Sequence, residues 1–357
     1  MIRKLSVLLC LMLAVTAAGF AAQPSAVSIM TQNMDAGTDL TYAIAELEGL
    51  FPPGYGVELT YEEILASNLP HRAALLAARI ADKKPDLLAL QEVTLWRTGP
   101  SAATATTVLF DQLQLLLAAL ASKGVPYDIV AVNTLGDLAL PKASGGALRF
   151  TDRDALLVRA DLKPPAFHLS DVHSSTFDAV YSLGGLQVPS GWISAIVHTG
   201  NRHFFLVNTH LQSPVQSDPS AAAVQMAQAD QLIHELRNST VPVVLAGDFN
   251  SDAILGIKGT GPDNTGTAAH IVASGYADTG IALLPTWPLY LEDQFPPPSF
   301  VPPPFFKLSQ PFERIDLIFS QGLGAVSAER VTAPNLHAIP LPNFGSDHAG
   351  VLAVFQF

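Results

Sequence analysis

Short apolar runs separated by helical patterns constrain the fold of this 357-residue chain more than any other feature. The runs are rich in Val, Ile, Leu and Phe, and they cover residues 27–33, 86–93, 127–132, 154–160, 192–198, 203–211, 242–250, 314–320 and 350–357. Amphipathic spacing predicts helices between some of them, over 71–84, 107–124 and 221–239. Strands that alternate with helices predict a layered α/β fold.

The N-terminal segment predicts export. Two basic residues precede an apolar stretch (5–15), and small residues ending at Ala21 offer a cleavage site. We expect residues 1–21 to be a signal peptide and the mature chain to begin near Ala22; an uncleaved membrane anchor is the alternative. Cys10 is the only cysteine, so the mature chain would have no disulfide and no cysteine–zinc site. We therefore expect a secreted or bacterial periplasmic protein.

The remainder of the chain, 22–357, has no composition break that would divide it, and we predict a single domain. Two insertions interrupt the pattern, near 36–70 and 285–312, and the second is rich in proline and aromatic residues. The formal net charge is −12. Such a charge gives no general attraction to nucleic acid or anionic lipid, which disfavours DNA binding as a first assumption.

Several apolar runs end in acids, amides and histidines. These residues are Asn33, Asp35, Glu92, Asn208, His210, Asp248, Asn250, Asp316, Asp347 and His348. Carboxylate and amide oxygens are hard ligands that suit Mg²⁺, Mn²⁺ or Ca²⁺. No HExxH-like spacing that would indicate zinc is present.

Each of these residues also has a structural interpretation. Glu92 resembles a solvated loop acid, and the Asp248–Asn250 pair resembles ordinary turn chemistry. Asp316 differs because it stands inside the apolar run IDLIF, where an ionised acid is costly unless it is paired. Its partner would be either Arg314 or a histidine that the acid orients.

The order of the motifs favours the functional interpretation of these residues over the structural one. QE (91–92), THL (209–211), GDFN (247–250), RIDLIF (314–319) and SDH (346–348) occur in one chain in that order. From about Ser28 to Phe357 the sequence resembles the endonuclease/exonuclease/phosphatase superfamily. The resemblance implies a deoxyribonuclease I-like four-layer α/β sandwich, with two central, mostly antiparallel or mixed sheets flanked by helices.

The resemblance implies a metal site. Glu92 would be the principal ligand of Mg²⁺, with Mn²⁺ or Ca²⁺ as alternatives. Asn33 and Asp347 would lie near the same ion, and Asp35 would help.

The resemblance also implies catalytic roles. His210 would bind or polarise the phosphate, while Asp248 and Asn250 would position the attacking water and the phosphate oxygens. His348 would act as general base or electrostatic partner, oriented by Asp316. These roles suit phosphate ester cleavage, which requires charge neutralisation and an in-line water.

One position departs from the family pattern. Many members have an asparagine where this chain has Asp154, and an acid there adds negative charge near the phosphate. Asp154 would either bind metal or pair with Arg153. The two insertions have no family role that we can assign.

We therefore expect a metal-dependent phosphoesterase, most readily a phosphodiesterase, that acts on a phosphate-ester substrate; no protein partner is evident. The substrate would be nucleic acid, a phospholipid headgroup as in sphingomyelinases, or a small phosphoester. A non-catalytic binding protein with the same fold is the alternative from another functional class.

Overall fold

The computed structural model describes residues 26–215, 217–253, 264–280, 282–292, 306–308, 311–332 and 345–356. The predicted signal peptide (1–21) and most of the predicted proline-rich insertion (285–312) lie outside the described residues. Within the described ranges, no helix is long and apolar enough to cross a membrane.

The first sheet is mixed. It contains β1 (Ala26–Asn33), β2 (Leu87–Gln91), β3 (Leu95–Gly99), β4 (Thr107–Asp111), β5 (Tyr127–Pro141), β6 (Ala147–Arg159), β17 (Ala325–Val331) and β18 (Gly350–Gln356). The strand order is β17-β18-β1-β2-β6-β3-β4, and β5 also pairs with β6. β1 runs parallel to β2 and antiparallel to β18, so the first described strand lies between an early strand and the last one.

The second sheet is also mixed. It contains β7 (Phe167–Thr176), β10 (Gly191–Thr199), β11 (Arg202–His210), β12 (Val243–Asp248), β13 (Ala277–Asp278) and β16 (Asp316–Gln321), in the order β13-β16-β12-β11-β10-β7. β11 and β12 are parallel. Two small hairpins lie outside both sheets: β8 (Tyr181–Leu183) with β9 (Leu186–Val188), and β14 (Tyr290–Glu292) with β15 (Phe306–Leu308).

The helices complete a four-layer arrangement. They are α1 (Thr41–Leu47), α2 (Tyr55–Ser67), α3 (Leu69–Lys83), α4 (Gln112–Ser122), α5 (Pro219–Leu236) and α6 (Thr267–Ala273). Successive side chains of β2 point to opposite faces of the first sheet: Ala89 packs between the two sheets, and Leu88 packs among residues of α3 and α4. On the other side, α5 and α6 pack on the second sheet. The predicted deoxyribonuclease I-like sandwich is confirmed.

The helices predicted over 71–84 and 221–239 correspond to α3 and α5. The helix predicted over 107–124 is wrong in its first part, because residues 107–111 form β4. Thr107 and Val108 are β-branched and pair with β3, and Asp111 then caps α4 by accepting a hydrogen bond from the Gln114 backbone. The 36–70 insertion contains α1 and α2.

Candidate active site

The strand ends of both sheets meet at one edge of the sandwich. Asn33 and Gln91 are paired at the ends of β1 and β2. In the second sheet, Asp248 lies opposite both His210 and Asp316. Asn33 joins the two sheets, because its Nδ2 donates a hydrogen bond to Asp248 Oδ2 at 3.0 Å.

Asn33 also fixes Glu92. The same Nδ2 donates to Glu92 Oε1 at 2.9 Å, and the Ala36 backbone donates to Glu92 Oε2 at 2.8 Å. The amide oxygen of Asn33 accepts from the Asp35 backbone at 2.9 Å. Asn33 therefore orients two carboxylates in this structure, and its predicted role as a metal ligand stays a prediction.

Three site residues other than glycine have a left-handed backbone: Asp35 (φ 60°), Glu92 (φ 53°) and Asn250 (φ 47°). This region is unfavourable for most residues, by about 1–2 kcal/mol. A local hydrogen bond compensates at Asn250, whose backbone donates to Asp248 Oδ1 at 2.9 Å. Such conformations cluster at functional sites, where the surroundings hold them in place.

His348 and Asp316 form a buried pair. His348 Nδ1 lies 2.9 Å from Asp316 Oδ2, and the two residues are 5% and 0% exposed. Burial opposes protonation of His348, but Asp316 and the neighbouring carboxylates outweigh it and raise the pKa of the imidazole well above its usual value. The alternative pairing of Asp316 with Arg314 is wrong, since Arg314 pairs with Asp278.

His210 and Asn250 form the second polar group. Asn250 Nδ2 donates to the Leu211 carbonyl at 2.9 Å and lies 3.0 Å from His210 Nε2. His210 Nε2 is 3.8 Å from Asp248 Oδ2, so the predicted phosphate-binding residues do lie together. Gln225 on α5 donates from Nε2 to the Asn250 carbonyl at 2.6 Å. A glutamine on a helix gives no sequence signal for this role.

Asp347 is held by Trp287, whose Nε1 donates to Asp347 Oδ2 at 2.8 Å. The other oxygen, Oδ1, is buried without a hydrogen-bond partner among the described residues. Burial raises the pKa of Asp347 to about 8, and the carboxylates of Asp35 and Glu92 contribute to the rise. An oxygen of this kind, buried beside other acids, is suited to a cation.

The negative charge of Asp35 is already balanced by the guanidinium group of Arg72. Its Oδ2 lies 2.6 Å from Arg72 Nη2, and both side chains are buried. Its Oδ1 accepts from the Gly37 backbone at 2.8 Å. Asp35 lines the same cavity as the other site residues. Its predicted help to a metal stays a prediction, and the structure shows that its charge is shared with Arg72.

Asp154 lies fully buried, and neither carboxyl oxygen has a hydrogen-bond partner among the described residues. Burial raises its pKa well above the usual value. The alternative pairing with Arg153 is wrong, because Arg153 turns to Asp111 at 2.7 Å. Asp152, which sequence reasoning missed, lines the cavity nearby, and burial raises its pKa to about 6.

These residues surround one cavity of about 390 Å³. Its lining includes Glu92, Asp152, His210, Asp248, Asn250, Trp287, Asp347 and His348, and the described lining contains no lysine or arginine. A divalent cation fits this donor set, because closely spaced acids need a compensating charge. Asp248, Asp316 and His348 also offer ligand atoms within 4.8 Å of one another. A metal there would have to displace the hydrogen bond between Asp316 and His348, whereas Glu92 and Asp347 line the same cavity and the charge of Glu92 acts on Asp347.

Several solved structures have the same fold as this chain at low sequence identity. An endonuclease/exonuclease/phosphatase from Beutenbergia cavernae aligns over 93% of this chain and 72% of its own, at 18% identity and a TM-score of 0.54. A family protein from Bacteroides vulgatus aligns over 93% and 99%, at 18% identity and a TM-score of 0.52. D. rerio TDP2 in complex with a single-strand DNA product aligns over 93% and 100%, at 14% identity and a TM-score of 0.51.

No curated protein sequence matches the chain. The family model described as Endonuclease/Exonuclease/phosphatase family matches residues 64–348, which include all the predicted site residues except Asn33 and Asp35. The matched range covers most of the chain, and the sandwich, the strand-end site and the motif order agree with it. The chain therefore belongs to the endonuclease/exonuclease/phosphatase family.

Proposed function

We propose that this chain is an exported, divalent-metal-dependent hydrolase of phosphodiesters. The observation that supports the proposal most is the placement of the His348–Asp316 pair beside the carboxylates of Glu92 and Asp347 in one cavity. Family members are phosphoesterases and related hydrolases, and a binding protein would have no need for this combination of a buried Asp–His pair and a cation site.

The residues of the chain divide the work on the phosphate. His348 holds a proton on a ring whose orientation Asp316 fixes, so it can exchange a proton or stabilise negative charge at Nε2. Asp248 lines the cavity and would position the attacking water. His210 also lines the cavity and would bind the phosphate, while Asn250, whose Nδ2 contacts the Leu211 carbonyl and His210 Nε2, would hold His210 in place.

Glu92 and Asp347 would hold the divalent cation, with Asn33 orienting Glu92. When bound, such a cation neutralises negative charge on the phosphate and on the leaving oxygen. All these donors are oxygens, so the expected ion is Mg²⁺, with Mn²⁺ or Ca²⁺ as alternatives.

A nuclease is the second candidate. D. rerio TDP2, which shares the fold, was solved with a single-strand DNA product. The cavity argues against a polynucleotide, however, because its described lining has no lysine or arginine to contact neighbouring phosphates. A single phosphodiester group, neutralised by one cation, suits this lining better.

The test is hydrolysis by the purified protein of three substrates, each with Mg²⁺ and with EDTA: plasmid DNA, sphingomyelin vesicles and bis-p-nitrophenyl phosphate. We expect EDTA-sensitive cleavage of bis-p-nitrophenyl phosphate and little cleavage of DNA. Glu92→Gln is the control for activity from a contaminant. Cleavage that is unaffected by EDTA contradicts metal dependence, and no cleavage of any substrate contradicts an enzymatic function.

The export part of the proposal rests on residues 1–21, with their basic start, apolar stretch and small residues at the end. N-terminal sequencing of the protein recovered from the periplasm or medium of a bacterial host should give a start at Ala22. Recovery of only the uncleaved chain in the membrane fraction would support an anchor instead.

A further inference from the structure

A second pocket, of about 350 Å³, lies beside the cavity of about 390 Å³ that Glu92, Asp248 and Asp347 line, which we call the acidic cavity. Its lining is almost entirely apolar. Trp96 and Phe150 lie in contact, with ring centroids 4.8 Å apart, and Leu148 belongs to the same lining. We call this feature the apolar pocket. A large apolar concavity next to a polar site is typical of ligand binding.

One side of the apolar pocket is formed by strands β3, β5 and β6 of the first sheet, and the other side by segments outside both sheets. Ile44 and Leu47 come from α1 in the 36–70 insertion, and Leu183 and Leu186 come from the β8–β9 hairpin. The tip of that hairpin approaches α1 closely, since a Cβ on Gly184 would lie 3.6 Å from the Leu47 carbonyl oxygen. Neither segment contributes a polar group to the proposed chemistry, so the pocket gives the insertion a role.

The two cavities share a boundary. Leu40, Phe150, Asp152, Val188 and Pro189 line both of them. The two cavities are therefore adjacent, and the apolar pocket is the neighbouring space for a group attached to a phosphate in the acidic cavity. The volume sets a limit on that group, because an apolar cavity of roughly 150 Å³ holds a benzene ring. A pocket of about 350 Å³ takes a group of roughly twice that size.

Charge narrows the choice further. The described lining of the apolar pocket has no lysine or arginine, and Asp137 and Asp152 are its acids. Asp137 is paired with Arg97 and Arg149, so Asp152 is the acid that would face an occupant and repel a second phosphate. The remaining lining favours an apolar occupant, which argues against the next nucleotide of a strand and against a polyphosphate headgroup.

We propose that the apolar pocket binds an alkyl or aryl substituent of the substrate, so that the substrate is a phosphodiester with one apolar substituent of up to about twelve carbons. This inference rests on the proposed function, because it assumes that the acidic cavity holds the phosphate. Burial of each methylene stabilises a complex by about 0.8 kcal/mol, which is about fourfold in affinity.

The test uses alkylphosphonates as probes: methyl-, butyl-, octyl-, dodecyl- and hexadecylphosphonate, below their micellar concentrations. Binding to the full chain in Mg²⁺ is measured by calorimetry and by tryptophan fluorescence, because Trp96 lines the pocket. We expect Kd to fall about fourfold per methylene as far as about dodecyl and then to level off.

Gly136→Leu should fill the pocket. A Cβ at Gly136 would meet only the Asp152 Cβ, at 3.9 Å, which is ordinary van der Waals contact, and urea unfolding of the variant checks that its fold is intact. This variant should bind methylphosphonate like the wild type and lose most of the dependence on chain length. Gly324→Leu is the matched control, because it places the same side chain in open space away from the pocket.

A Kd that does not change with chain length, or a slope that Gly136→Leu leaves intact, overturns the proposal. A Kd that keeps falling through hexadecyl also overturns it, because binding would then not be limited by this pocket. The absence of hydrolysis with a normal chain-length dependence would instead contradict the proposed function and leave the pocket assignment standing.

Discussion

Asp316→Asn tests the proposed chemistry most directly. The substitution keeps the shape of the side chain but removes the charge that faces His348 Nδ1 at 2.9 Å. A hydrogen bond to a charged group contributes about 1.5–3 kcal/mol. If that bond supports His348 in the transition state, kcat should fall by about 10- to 150-fold.

The assay is hydrolysis of bis-p-nitrophenyl phosphate at saturating Mg²⁺ for Asp316→Asn, His348→Ala and the double variant. His348→Ala should cost about 10²- to 10⁴-fold, the usual range for a general acid or base. If Asp316 acts through His348, the double variant should be about as slow as His348→Ala alone. Effects that multiply would refute the reasoning.

A matched control is available on the surface. Asp230 Oδ1 lies 2.7 Å from His270 Nε2, and this pair is exposed and lies outside the lining of the acidic cavity. Asp230→Asn removes the same kind of contact and should leave kcat unchanged. Urea unfolding of every variant would show whether a loss of activity reflects a loss of structure.

Three further predictions concern the cation and the buried charges. Glu92→Gln should raise the Mg²⁺ concentration that gives half-maximal activity by at least about 10- to 100-fold, which is the usual effect of changing a residue that only supports a metal ligand. An unchanged Mg²⁺ titration would exclude Glu92 as the ligand. Arg72→Met should lower the free energy of unfolding by about 3–5 kcal/mol, because it removes the cationic partner of the buried Asp35 carboxylate. Lys83→Met, which breaks the exposed pair with Glu329, should cost less than about 1 kcal/mol in the same urea experiment. Asp154→Asn should raise Tm in EDTA more at pH 8 than at pH 5. Burial raises the pKa of Asp154 in the folded state, so the wild type loses stability as the pH rises above the pKa that Asp154 has in the unfolded chain. The asparagine variant does not titrate and has no such loss. An equal gain at both pH values would contradict this account.

The site was largely visible in the sequence because its residues follow apolar strands. GDFN after VVLA is one such case, and the strand carries Asp248 to the same edge as Asn33. An acid within IDLIF required a partner, the family resemblance implied that the partner is His348, and the two side chains do lie 2.9 Å apart. These inferences depend on local patterns and motif order, which a single sequence contains.

The parts that could not be predicted depend on three-dimensional contacts. Strand β7 has an exposed, polar sequence, FHLSDVHSST, so it lacks the apolar alternation that marks a strand. Gln225 looks like any polar helix residue until its contact with the Asn250 carbonyl is known. The pairing of Arg72 with Asp35 joins residues 37 positions apart in the chain, and no spacing rule connects them.

The position of β18 beside β1 has a consequence for when this molecule becomes active. Asp347 and His348 immediately precede β18, and β18 pairs with β1, whose end carries Asn33. A chain still being synthesised would already contain Asp248 and Asp316 of the second sheet and most of the cavity wall, but it would lack His348. Hydrolytic activity would therefore begin only after the last strand has docked, and an unfinished or C-terminally clipped chain would be inert.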